Sequence, residues 1–139
     1  MKTLRLDDVE PTRILGTHWK PIRSTLGIRA FGINAYTAEH AGDRLFNEHD
    51  ETESFAGRQR HEELYVVLEG RAAFTVDGED VDAPPGTIVF VEDPSSRRAA
   101  AATEGGTTVL AIGGPVGKAY EPGPWKERFL SEVRERSTT

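Results

Sequence analysis

Gln59, His61, Glu63 and Tyr65 occupy every second position of one stretch of the chain. Successive side chains of an extended strand point to opposite faces, so these four share a face. An imidazole and a carboxylate on one surface can hold a divalent cation, and Gln59 can add a weak further donor. The same groups can equally be polar residues that hydrogen-bond one another without any ion. Tyr65 is open to two readings, an acid/base group or a core aromatic whose hydroxyl finds a partner. The chain contains no cysteine. This excludes disulfides and thiolate zinc sites, and leaves His, Asp, Glu, Gln or water to hold any metal. Arg97 and Arg98 form a second pair of interest. A guanidinium pointing inward can grip a ligand carboxylate or phosphate through two parallel hydrogen bonds. Pointing outward, it is simply solvated or paired with Glu92 or Asp93. No Gly-x-Ser-x-Gly elbow and no phosphate-cradling glycine loop is present.

The elements that must position these groups are short strands punctuated by glycine and proline. His61–Glu69 is rich in Tyr, Val and Leu and ends at Gly70. Arg71–Val76 and Glu79–Ala83 flank Asp77-Gly78, a hairpin turn signal. Thr87–Val91 follows the Pro84-Pro85-Gly86 turn, and Arg97–Thr103 pairs with Thr107–Ile112 across Glu104-Gly105-Gly106. Upstream, Ile28–Ala35 and Asp43–His49 read as strands, and strands are also expected within residues 1–27. This spacing favours an all-β sandwich or barrel over alternating strands and helices. Gly113–Pro124 reads as an extended connector. Trp125, Phe129, Leu130 and Val133 then form a helical stripe within Trp125–Arg136, which predicts a short C-terminal helix. Trp19 and Trp125 are most simply packing or interface residues.

The length of 139 residues suits one domain spanning 1–139. A net charge of -6 argues against a nucleic-acid partner, whose phosphates need a basic surface. It also gives no reason to expect an anionic membrane surface as partner. No stretch approaches a membrane span or a signal-peptide core, so a cytoplasmic location is expected.

Two motifs in the chain resemble those of the cupin superfamily. The first is H61-E-E-L-Y-V-V-L-E-G70, in which six residues separate Glu63 from Gly70. The second begins at Gly86, continues as the Thr87–Val91 strand and reaches a turn at Asp93-Pro94-Ser95-Ser96. Fifteen residues lie between Gly70 and Gly86, the short spacing of many bacterial cupins. The resemblance covers residues 28–112 and implies a jelly-roll, or double-stranded β-helix, barrel. In metal-binding cupins the first motif supplies two His and a Glu, and the second a further His. Here Gln59 and Gly57 stand at the two His positions, and Arg98 or Ala99 stands at the third.

If residues 50–60 are an insertion splitting the first motif, His49 takes the place of one motif His. The resemblance then implies His49, His61 and Glu63 as ligands of one divalent metal (Fe, Mn, Zn or Ni). The alternative is no metal at all. It also implies a ligand-binding role for Arg98, with Tyr65 and Gln59 beside it. The reading that follows is a small-molecule-binding single-domain cupin with a degenerate metal site. Its alternative is a metal-dependent dioxygenase, isomerase or hydrolase acting on a small polar or carboxylate-bearing metabolite. A homodimer is expected, because single-domain cupins commonly pair through edge strands.

Overall fold

The computed structural model describes residues 1–14, 16–52 and 60–116. Gln59 and the expected helix at Trp125–Arg136 therefore lie outside the described residues. A single 3-10 turn, Leu6–Asp8, precedes β1 (Thr12–Ile14), β2 (Thr17–Lys20) and the short helix α1 (Ile22–Leu26). The strands β3 (Gly32–Ala38), β4 (Arg44–His49), β5 (His61–Glu69), β6 (Ala72–Val76) and β7 (Glu79–Ala83) come next. The described chain closes with β8 (Ile88–Val91), β9 (Arg98–Ala102) and β10 (Thr108–Pro115).

These strands build two antiparallel sheets. One has the order β1-β2-β3-β10-β5-β8 and the other β4-β9-β6-β7, so β9 and β10, expected to pair with each other, lie in different sheets. The all-β expectation holds, but the expected barrel does not close. The hydrogen-bonded ladders stop at β8 in one sheet and at β7 in the other, so the arrangement is two facing sheets. The expected strand at Ile28–Ala35 is displaced to Gly32–Ala38, because its pairing with β10 matches Gly32 to Gly113 and Thr37 to Thr108. β10 also runs further than expected, through Gly113 and Gly114 to Pro115, paired along that length with β5.

Alternation decides what enters the space between the sheets. Tyr65 and Val67 of β5, Ala72 and Phe74 of β6, and Val89 and Val91 of β8 are buried. They join Leu45, Phe46, Val109 and Ala111 in one core cluster drawn from both sheets. Each large apolar side chain buried there contributes roughly 1.5–3 kcal/mol. β9 contributes small residues: Ala100 lies opposite both Phe46 and Phe74, leaving room for two rings 6.2 Å apart. Period two then places Arg98 on the same inward face as Ala100 and Ala102, and all three are buried.

Two turns fix the registers. Asp77 (φ 49°) and Gly78 (φ 80°) both take positive φ, the signature of the type I′ turn that joins β6 to β7. Gly70 has φ 72°, and a Cβ there would sit 2.3 Å from Thr107 Oγ1 and 2.6 Å from Thr107 Cα. Only glycine fits that junction between β5 and β6.

Candidate functional site

One end of the space between the sheets collects ionisable side chains from four strands and a loop. His49 is the last residue of β4 and lies opposite Arg98, the first of β9. Glu51 follows β4 in a loop held by its own N–H, which donates to Pro94 O at 2.8 Å. Glu63 and Tyr65 come from β5, and Tyr36 from β3. The loop around Pro94 is itself shaped by Asp93, whose carboxylate accepts the N–H and hydroxyl of Ser95.

His49, Glu51 and Glu63 each offer one donor atom, and these atoms lie within 4.8 Å of one another. Nδ1 of His49 is 2.8 Å from Asn47 O. A carbonyl only accepts, so Nδ1 carries a proton and donates it. Nε2 then faces Glu51 Oε1 at 3.2 Å. That hydrogen bond to Glu51 raises the His49 pKa, and the same contact lowers that of Glu51. Burial pushes Glu63 above the usual carboxylate range, against the hydrogen bond it accepts from the Tyr65 hydroxyl.

Arg98 is fully enclosed, and its Nη1 stands 3.6 Å from Glu63 Oε1 and 3.9 Å from Glu51 Oε1. Its Nη2 donates to Asp93 O at 3.4 Å, whereas Nε and Nη1 have no hydrogen-bond partner among the described residues. Arg98 is thus a buried cation behind two carboxylates. A cavity of about 530 Å³ opens in front of them, lined by Glu51, Glu63, His61, Asn34 and Tyr36 among others.

Of the residues singled out from the sequence, His49 and Glu63 converge. His61 lines the same cavity, but its Nδ1 stands 3.9 Å from Glu51 Oε2 and it lies outside the three-residue cluster. Tyr65 is 1% exposed and stacks on Phe46 at 4.8 Å, so its ring belongs to the core and its hydroxyl donates to Glu63. In the sequence, Glu51 is one of three acids among residues 50–53, with nothing to single it out. The tighter signal, an acid two residues after His49, gains meaning once the loop is seen to turn inward. Tyr36 carried no functional signal in the sequence.

The family resemblance brings a metal into question, and the donor set fits one. Metal-ligating histidines ordinarily donate their second ring N–H to a carbonyl or carboxylate, which aims the other lone pair at the ion. His49 has that bond to Asn47 O, Nε2 faces Glu51, and a Glu63 oxygen completes the cluster. A single nitrogen with two oxygens suits Zn, Mn or Fe(II) better than a soft ion.

No family model matches the sequence, and no curated protein matches it. Solved structures do match. KdgF from Halomonas sp. aligns with a TM-score of 0.63 at 15% identity, over 83% of this chain and 94% of that one. A predicted oxalate decarboxylase from Thermotoga maritima gives 0.65 at 16% identity, over 83% of this chain and all (100%) of that one. A sugar phosphate isomerase of the cupin superfamily from Silicibacter pomeroyi gives 0.63 at 17% identity, over 83% and 76%. The two facing sheets, the Glu63–Gly70 segment and these alignments agree: the fold of this chain is that of the cupin superfamily.

Proposed function

We propose that the chain binds a small polar molecule in the cavity between its sheets, at a divalent cation held by His49, Glu51 and Glu63. The observation that carries this reading is the His49 ring, fixed by Asn47 O with Nε2 facing Glu51 at 3.2 Å, in one cluster with a Glu63 oxygen. A bound ion would act there as a Lewis acid toward a ligand oxygen. Tyr65 and Arg98 hold Glu63 in place, and His61 lines the approach. Neighbours that bear the names of a predicted oxalate decarboxylase and a sugar phosphate isomerase support the extension to a reaction on a polar or carboxylate-bearing metabolite.

The test is calorimetric titration of Mn²⁺ and Zn²⁺ into protein stripped with a chelator. One ion per chain is expected, with affinity falling at least about tenfold in His49→Ala and Glu51→Gln. A flat titration, together with no metal in protein expressed in metal-replete medium, overturns the reading.

A second reading is supported by Arg98. Without an ion, Arg98 and His49 are the basic partners that face Glu51 and Glu63. The pocket is then a metal-free binding site, and the same titration separates the two.

We also propose self-association through the outer face of the larger sheet. Its last strand, β8, presents Ile88 and Phe90, which are 63% and 56% exposed, with Phe31 nearby in the same groove as Phe90. Light scattering that reports a monomer at high concentration would refute it. No helix among the described residues is long and apolar enough to cross a membrane. A cytoplasmic location remains part of the proposal.

A further inference from the structure

A second cavity, of about 330 Å³, lies between β2 and β4 and is lined by Trp19, Tyr36, Arg44, Leu45 and Phe46 among others. It shares Trp19 and Tyr36 with the cavity in front of the carboxylates. These two residues lie directly opposite each other across the β2–β3 ladder, which places both side chains on one face. We propose that the two cavities form one bipartite ligand site, with a flat ring held beside Trp19 and an oxygen-rich head group reaching Glu63.

Three observations support the assignment. The smaller cavity is walled by aromatic rings: Tyr36 and Phe46 are 5.7 Å apart, within stacking range, while Trp19 has no aromatic ring partner among the described residues. Trp19 and Tyr36 are both partly exposed, and no hydrogen bond among the described residues occupies the indole N–H or the phenol hydroxyl, so both are free to meet a ligand. Tyr36 lines both cavities, so its hydroxyl is placed to donate to a ligand that spans them. A ligand bearing a planar ring and oxygen acceptors supplies what both residues lack. A small polyol or dicarboxylate would leave the ring compartment unused.

The proposal rests on the cavity binding a small molecule and does not depend on the ion. Its test compares phenyl β-D-glucuronide with methyl β-D-glucuronide by calorimetry, on metal-loaded and on stripped protein. The phenyl probe is expected to bind at least tenfold more tightly. Trp19→Ala is expected to erase that advantage, and Trp19→Phe, which keeps a ring and guards against misfolding, to retain part of it. Tyr36→Phe is expected to weaken both probes by a similar factor. Mn²⁺ affinity is expected to stay unchanged in the Trp19 variants, which separates failure here from failure of the metal reading. Equal affinities for the two probes, no binding of either, or a phenyl advantage that survives Trp19→Ala overturns the proposal.

Discussion

Arg98→Met is the most informative single change in the core of this protein. Arg98 has no exposed surface, and its Nη1 lies 3.6 Å and 3.9 Å from the carboxylates of Glu63 and Glu51. At an effective dielectric of about 20, each attraction is worth roughly 4 kcal/mol before the cost of desolvating the arginine is counted. Removing one partner of a buried ionic group typically costs about 3–5 kcal/mol, because the remaining charges are left uncompensated. The loss has a ceiling, since Glu63 can take a proton. Its pKa is already raised by burial, and loss of Arg98 raises it further. A carboxyl whose folded pKa exceeds its unfolded value gives a protein that loses stability as pH rises through that window and recovers it as pH falls.

Urea denaturation of chelator-treated Arg98→Met is therefore expected to show a loss of about 3–5 kcal/mol at pH 7. The gap to the parent protein should narrow toward pH 5. Adding Glu63→Gln to Arg98→Met should recover part of the loss, since the pair is coupled. A loss below about 1 kcal/mol, the scale of a surface ion pair, would refute the reasoning. So would a gap that widens on acidification.

Other consequences follow from the same structure. Gly70→Ala should cost more than about 1 kcal/mol by thermal or urea unfolding, since a Cβ would collide with the Thr107 backbone and φ is positive. Phe74→Ala removes a ring that is 0% exposed, and should cost about 3–5 kcal/mol in the same assay. Mn²⁺ or Zn²⁺ affinity should fall as pH falls. His49 and Glu63 both hold protons to higher pH than usual, and each must release its proton before it can ligate. Calorimetry across the range from pH 8 to pH 5 checks this, and a flat profile would contradict it.

Local pattern carried much of the fold. His61–Glu69 and Glu79–Ala83 are strands with the bounds expected of them, because alternation runs along both and Gly70 and Asp77-Gly78 stop the chain where backbone sterics require. The same alternation put Glu63 and Tyr65 on one inward face. Tertiary structure decided the rest of the candidate site. Glu51 lies in a loop with no periodicity, and it turns inward only because Pro94, far along the chain, accepts its N–H. Arg98 could not be told from a solvated arginine until β9 was paired between β4 and β6, which seals it opposite His49. His61 has the right parity, yet lies at the start of β5 and falls outside the cluster. Closure into two sheets and the Trp19–Tyr36 pair depend on long-range ladders as well. A period of two tells which face a residue takes. Which loops and strands meet over that face is settled by packing between residues distant in sequence.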